Sequence, residues 1–148
     1  MTRVVDVATE SVRIPVASSR VARVAEQVLR AEAVRDAVLS VAFVTVRRIA
    51  ALNWQHLHHR GPTDVISFGF RPVGAESGAV VGDVYIAPGV ARRNALEAHR
   101  GIREELLRLV VHGVLHVLGY DHPVDERRYA SPMWRRQERL LRAAMAQA

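Results

Sequence analysis

Cysteine does not occur in this chain of 148 residues, and aromatic residues make up only 5% of it. Without cysteine, disulfide bonds and thiolate zinc sites are both excluded. No apolar run approaches the roughly 20 residues that a membrane-spanning helix requires, and the N-terminus lacks the apolar core of a secretory signal. We therefore expect a cytoplasmic protein. Its length and its hydrophobic fraction of 49% predict one domain, residues 1–148, with a substantial core.

Lysine is also absent, so all 21 basic residues are arginine, and the formal net charge is +6. A basic balance favours polyanionic partners, and the arginine fork pairs with phosphate and stacks on bases, which suits RNA. Complete replacement of lysine is also typical of a GC-rich coding bias, so charge alone does not identify the partner. Arg92 and Arg93 form one candidate RNA-binding cluster. A second arginine-rich stretch, after residue 126, could instead be a salt-bridged solvent face.

The most informative feature is a group of three histidines, His112, His116 and His122. The first two are four residues apart, so on an α-helix both side chains project from one face, the spacing at which two imidazoles bind one metal ion. Gly119 can adopt the left-handed conformation that ends a helix, and Pro123 blocks a helical continuation. The pattern predicts a helix, a stop and a return of the chain. A lone histidine on so apolar a helix would more often be a hydrogen-bonded core residue, but three at this spacing favour a metal site.

Three histidines without a fourth protein ligand leave one coordination position open, which is typical of catalytic rather than structural zinc. Zinc held in this way lowers the pKa of its bound water to about 7, so hydrolysis is the natural inference. We expect one Zn²⁺ ion, although nickel, cobalt or copper could also bind three imidazoles. Asp121 could contribute to catalysis by accepting a hydrogen bond from a ligand imidazole, or it could cap the turn after Gly119.

The same spacing matches the metzincin metalloproteases, His-Glu-x-x-His-x-x-Gly-x-x-His, with one departure. Gly113 stands where those proteases carry the glutamate that serves as general base. Losing that proton shuttle typically costs a factor of about 10²–10⁴ in rate. A zinc metallopeptidase is therefore the alternative interpretation and not the leading one.

The segment His-Gly-x-Leu-His-x-x-Gly-Tyr-Asp-His, which begins at His112, resembles the signature of the YbeY family of bacterial metal-dependent endoribonucleases. Further segments match in the same order: Pro-Thr-Asp-Val-Ile-Ser-Phe at 62–68, Gly-Asp-Val-Tyr-Ile-Ala at 82–87, and Met133. The resemblance implies cleavage of single-stranded RNA, maturation of the 3′ end of 16S rRNA and ribosome quality control. It also implies partners, namely the small ribosomal subunit with a ribosomal protein or a ribosome-associated GTPase. A non-catalytic ribosome-assembly factor is a further alternative.

The resemblance implies more site residues. It places Asp83 near the metal groove, where it could position substrate or water, or instead hold a β-bulge. Many relatives carry an arginine thought to serve the RNA reaction at the position of Leu57, and Arg60, three residues on, could take that role. The same loop carries a histidine cluster that is either a second metal site or, as we prefer, a surface loop touching substrate or solvent: His56, His58 and His59.

Hydrophobic periodicity and turn residues predict an α+β fold, a small mixed β-sheet with packed helices. The predicted extended segments are residues 4–16, 39–46, 64–70 and 80–87, and the predicted helices are residues 20–33, 48–56, 88–99, 102–118 and 126–146. A turn-rich connection at residues 71–78 joins the last two strands. Ser18 or Ser19 is the expected cap of the first helix, and Pro88 the first residue of the third.

Overall fold

The structure is a computed structural model that describes residues 2–70 and 79–147. The predicted connection at residues 71–78 lies outside the described residues. Within them the chain forms four β-strands, five α-helices and one 3₁₀ helix. In chain order these are β1 (Arg3–Thr9), α1 (Ser18–Ala31), β2 (Ala37–Phe43), α2 (Val46–Leu57), β3 (Val65–Phe70), β4 (Val80–Ile86), α3 (Pro88–Glu97), α4 (Ile102–Val117), the 3₁₀ helix (Glu126–Ala130) and α5 (Pro132–Ala146).

The strands form one mixed sheet in the order β1-β2-β4-β3. β2 pairs in parallel with β1 and with β4, whereas β3 pairs with β4 in the antiparallel sense and lies at the edge. This confirms the predicted α+β fold with a small mixed sheet. No helix in the part of the chain that the structure describes is long and apolar enough to cross a membrane.

The main core lies between one face of the sheet and the helices α1, α4 and α5. Leu39 and Val41 of β2 and Val84 of β4 point into it and are fully buried. Helix α4 is its central element, because ten of its 16 residues are buried. Burying one large apolar side chain contributes about 1.5–3 kcal/mol, so this packing holds α4 firmly against the sheet.

Two glycines let α4 approach β4 closely. A Cβ atom on Gly113 would lie 2.5 Å from Cγ1 of Val84, and a Cβ atom on Gly82 of β4 would overlap Val117 of α4. Any other residue at either position would have to displace a stiff β-branched side chain. The glycine pair therefore sets the distance between the metal-binding helix and the sheet.

Two helix starts differ from prediction because local caps override strand or helix propensity. The hydroxyl of Thr45 accepts a hydrogen bond from the backbone of α2, so Val46 begins that helix and does not end β2. The predicted helix over 126–146 is divided, since Ser131 caps α5 by accepting from the N–H of Trp134 at 3.1 Å and Pro132 occupies its first position.

The N-terminal segment is also shorter than predicted. Strand β1 ends at Thr9, although the predicted extended segment ran to residue 16. Ser11 adopts a positive φ of 58°, which is incompatible with a continuing strand. Ala17 precedes α1 without a side-chain cap, so the predicted cap by Ser18 or Ser19 is wrong, and both serines lie inside the helix.

Candidate metal centre

The last turn of α4 and the reversal after it bring two of the histidines into position. His116 lies in the final turn, and Gly119 adopts a φ of 102° immediately after the helix. The N–H of Gly119 donates to the carbonyl of His116, and the N–H of Tyr120 donates to that of Leu115, both at 3.0 Å. This is a Schellman motif, and it confirms the predicted glycine stop.

The returning chain places His122 opposite the two helical histidines. The ring centroids lie 4.6 Å apart for His112 and His116, 5.1 Å for His112 and His122, and 4.9 Å for His116 and His122. One nitrogen from each ring lies within 4.8 Å of the other two. In the described residues, this is the one group of three or more histidine, aspartate or glutamate side chains arranged to hold a metal ion.

The Nδ1 atom of each ring faces an oxygen acceptor. Nδ1 of His116 lies 2.9 Å from the carbonyl of Tyr120, and Nδ1 of His122 lies 2.6 Å from the carbonyl of Pro123. Because a carbonyl oxygen can only accept, Nδ1 must carry the proton in both rings. The Nε2 lone pair of each ring is then available to a metal, which is the tautomer that a histidine ligand requires.

The third ring is oriented by a side chain on a distant helix. Nδ1 of His112 lies 2.6 Å from Oε1 of Gln137, on α5, whose side chain is 1% exposed. The amide of Gln137 has a defined orientation because its Nε2 donates to the carboxylate of Glu138 at 3.0 Å. Glu138 in turn accepts from the buried guanidinium of Arg108 at 3.0 and 3.1 Å. A continuous chain of hydrogen bonds therefore connects the partly buried Arg108–Glu138 ion pair to the first histidine.

The protonation state of the centre also favours metal binding. Burial is the largest cause that lowers the pKa of His112 from 6.5 to about 4. The neighbouring imidazoles also lower it, whereas the hydrogen bond that His112 donates to Gln137 acts in the opposite direction. Burial and the charge of His122 likewise lower the pKa of His116. Both rings are thus neutral at pH 7, and a neutral imidazole is the form that binds a metal. Three imidazole nitrogen donors fit one divalent transition metal with a coordination position left for solvent or substrate.

A cavity of about 400 Å³ opens beside the histidines. It is lined by His112 and His122, by residues of the 3₁₀ helix and α5, and by Asp64, one residue before β3, and Asn94 of α3. Burial raises the pKa of Asp64, against opposing backbone hydrogen bonds and the positive charge of Arg128.

The structure shows where the two aspartates predicted as catalytic lie. The carboxylate of Asp121 accepts from the backbone N–H of His122 at 2.8 Å, which is the turn-capping alternative, while each ligand imidazole has another acceptor at Nδ1. Asp83 lies between Gly82 and Val84, which both face α4. Since side chains alternate along a strand, Asp83 points to the opposite face of the sheet, a position that does not support a role at the metal.

The end of α2 and the loop after it hold the residues that the family resemblance singled out for RNA contact. The guanidinium of Arg60 lies over the ring of Trp54 at 5.6 Å, and Arg60 is not among the described residues that line the cavity. Leu57 is 45% exposed. The rings of His56 and His58 pack edge-on against Phe68 and Trp54, as expected of the surface-loop alternative. No second metal cluster occurs in the described ranges.

The candidate arginines of α3 lie on different faces of that helix. Glu97 lines the cavity, and Arg93, four residues before it, shares its face. Arg92 is five residues before Glu97 and two before Asn94, the other cavity residue, so it points away from both. Both arginines are exposed.

Sequence reasoning missed Gln137 and the aromatic wall of the cavity. The buried stripe of α5 consists of Met133, Gln137, Leu140, Leu141 and Ala144. A glutamine at a core position of an amphipathic helix was therefore the available signal, because a buried amide requires a polar partner. Tyr129 and Trp134 carried no comparable signal, since their positions follow from the break between the 3₁₀ helix and α5.

Gly113 explains why the protease base is missing. Its α-carbon faces Val84 of β4, so a glutamate at this position would meet the sheet and not the cavity. The chain therefore lacks the general-base glutamate of the metzincin proteases, and the structure leaves no space for that side chain at position 113.

Comparisons with known proteins agree with the sequence motifs. A family model described as "Endoribonuclease YbeY" matches residues 6–145. A protein named Endoribonuclease YbeY from Parafrankia sp. is 40% identical over 116 residues, or 71% of this chain and 70% of that protein. One of the same name from Pelotomaculum thermopropionicum is 40% identical over 124 residues, or 80% of each. The solution structure of TM1509 from Thermotoga maritima is similar in fold, with a TM-score of 0.63 and 24% identity over 96% of this chain and 89% of that one.

Proposed function

The chain belongs to the YbeY family, and on that premise we propose that it is a metal-dependent endoribonuclease that cleaves single-stranded RNA. The observation that carries this proposal is the set of three converging imidazoles, each held at Nδ1 by an oxygen acceptor and open at Nε2. Their chemistry fits one Zn²⁺ ion, which we propose as the cofactor. Residues 1–148 would act as one catalytic domain.

His112, His116 and His122 would hold the ion through Nε2. When bound, the metal would supply a Lewis acid for the phosphodiester and lower the pKa of a water molecule. The chain itself would place a cation beside the reacting phosphate, because Arg128 lines the same cavity and its charge acts on both His112 and Asp64. That charge would offset the negative charge that develops on the phosphate in the transition state.

Three exposed arginines would contact the RNA backbone outside the cavity: Arg60, Arg92 and Arg93. Arg93 has the strongest support because its helix face continues from the cavity wall. Asp83 and Asp121 stay predictions as catalytic residues. Asp121 adjoins the proposed ligand His122, whereas Asp83 points to the other face of the sheet.

Cleavage of a labelled single-stranded RNA by zinc-loaded protein, with the metal quantified in the same preparation, tests the proposal. We expect activity in the parent protein, none in His116→Asn, and full activity in His99→Asn, which changes an exposed histidine outside the cluster. Equal cutting by all three preparations would identify a contaminating ribonuclease. Turnover of casein with inert RNA would favour the metallopeptidase, and ribosome binding without any cleavage would favour the assembly factor.

The family resemblance supports a more specific setting. We propose that the substrate is the 3′ end of 16S rRNA, that the reaction occurs in the cytoplasm during maturation and quality control of the small ribosomal subunit, and that a ribosomal protein or a ribosome-associated GTPase assists. The net charge of +6 is consistent with an RNA-rich partner. Incubating the protein with small subunits that carry an unprocessed 3′ extension, and mapping the new ends, would test this setting.

A further inference from the structure

We propose that the cavity beside the three histidines is a base-binding site that takes one unpaired nucleobase of the substrate. The inference rests on the proposed function, which makes the substrate RNA. The cavity measures about 400 Å³. Small-molecule sites have volumes of about 300–1,000 Å³, so this one is sized for a single nucleoside and not for a nucleic-acid helix. Because His112 and His122 line the same cavity, a phosphate linked to that nucleoside would lie near the proposed metal site.

The first support is an aromatic wall in a chain that has few aromatic residues. Tyr129 and Trp134 both line the cavity, and their rings meet edge to face with centroids 4.8 Å apart. In such a pair one ring contributes only its edge, so both of its faces remain outside the contact. Removing an aromatic ring on which a base stacks weakens binding by about 5- to 150-fold, and stacking accepts any base because all four have a π-face.

The second support is a pair of polar groups that line the same cavity. The amide of Asn94 lies 3.4 Å from the carboxyl of Asp64, and both border the cavity. A carboxyl and an amide together offer the donors and acceptors that read the edge of an unpaired base. Arg128, another residue of the cavity lining, lies 5.2 Å from the ring of Tyr129.

The site would provide a physical basis for single-strand selectivity. A base inside a duplex is stacked on both faces and has its Watson–Crick edge occupied, so it must leave the helix before it can enter a cavity of this kind. An unpaired base enters without that cost. The cavity would thus reject duplex RNA even where the phosphate backbone could reach the metal.

The two tryptophans of the chain make a direct binding test possible. Trp54→Phe leaves Trp134 as the sole tryptophan, so its fluorescence reports on the cavity. The zinc-loaded variant is titrated with each nucleoside 5′-monophosphate and, in parallel, with ribose 5-phosphate. We expect saturable quenching by the nucleotides and none by ribose 5-phosphate. Equal quenching by both, or none by any nucleotide, would overturn the base site.

Cleavage kinetics provide the second arm. Trp134→Leu should raise KM for single-stranded RNA by about 5- to 150-fold, whereas Trp134→Phe, which keeps an aromatic ring, should restore most of the affinity. Zinc content and thermal unfolding are measured for both, so that a misfolded variant is recognised. An oligonucleotide series with one abasic residue at each position should show one position at which cleavage fails.

The two proposals fail in different ways. If the protein cuts every abasic oligonucleotide as fast as the parent RNA, the base site is wrong and the endoribonuclease stands. If the protein cuts no RNA but nucleotides still quench Trp134 and ribose 5-phosphate does not, the cavity binds a base and the proposed reaction is wrong.

Discussion

Replacing Gln137 by leucine tests how the metal centre is held together. The side chain is 1% exposed and makes two hydrogen bonds, one from Nδ1 of His112 at 2.6 Å and one to Glu138 at 3.0 Å. Leucine is similar in size, so the main loss is polar. The Nδ1–H of His112 would be left without an acceptor in a buried place, at a cost of about 1–3 kcal/mol.

That cost appears in metal binding because the bound state needs the ring in one tautomer and one orientation. A free-energy loss of about 1–3 kcal/mol corresponds to about 5- to 150-fold in affinity, and losing a partner of a ligand histidine typically weakens metal binding by about 10- to 100-fold. We therefore expect Gln137→Leu to raise the Kd for zinc by one to two orders of magnitude. Gln137→Glu keeps an acceptor for His112 and should largely preserve affinity, although its charge faces Glu138 and should lower the free energy of unfolding.

Zinc affinity is measured by competition with a chromophoric chelator at pH 7, with circular dichroism to verify the fold. Gln55→Leu, on the exposed surface of α2, is the matched control and should bind zinc like the parent. If Gln137→Leu stays folded and binds zinc as tightly as the parent, the contact between α5 and His112 does not orient the ligand, and our account of the centre is wrong.

Three other substitutions or conditions test the fold around the site. In urea titrations, Gly113→Glu should lower the free energy of unfolding by at least about 1–3 kcal/mol, because a Cβ atom at this position lies 2.5 Å from the side chain of Val84 in β4. The variant should not hydrolyse casein. Gly101→Glu is the control and should unfold like the parent, because a Cβ atom there has no neighbour within 4 Å. Acidifying the chelated protein from pH 6.5 toward 4 should lower its free energy of unfolding. In this range the unfolded chain binds a proton at His112, whereas the native state does not, because burial lowers the pKa of that ring to about 4. The loss should reach roughly 3 kcal/mol, at about 1.4 kcal/mol per pKa unit, and the free energy of unfolding above pH 6.5 should not change. If His112→Asn shows the same dependence of stability on pH as the parent, the assignment to His112 is wrong. Arg108→Met should cost up to about 3–5 kcal/mol by thermal unfolding, because it removes the nearer partner, 3.0 Å away, of the buried Glu105 carboxylate and leaves it only Arg100 at 3.8 Å. Glu104→Gln, at a partly exposed partner of Arg108, should cost less than about 1 kcal/mol.

The histidine cluster could be predicted from the sequence because its geometry is local. His112 and His116 share a face by helical spacing alone, and Gly119 marks the reversal that brings in His122 within six residues. The partner of His112 could not be predicted in the same way. Gln137 comes from another helix 25 residues further on, and its approach depends on how α5 packs on α4.

The position of Asp83 relative to the histidines could not be predicted from strand periodicity. The alternation of side chains along β4 implies that Asp83 and Val84 point to opposite faces of the sheet, but it does not show which face packs against α4. That choice follows from the close approach of Gly113 to Val84, which is a tertiary contact. Asp64, one residue before β3, reaches the cavity because β3 is the edge strand beside α4, and nothing in its local sequence distinguishes it from a turn residue.

Two of the three oxygen atoms that hold the imidazoles belong to the main chain, at Tyr120 and Pro123, and only the third belongs to a side chain. Point mutation cannot delete a peptide oxygen, so those two anchors persist as long as the chain reverses where it does. Of the three hydrogen-bond acceptors, only the side chain at position 137 can therefore be changed by substitution. Substitutions there offer a way to vary the strength of ion capture while the loop that carries the ligands is left untouched.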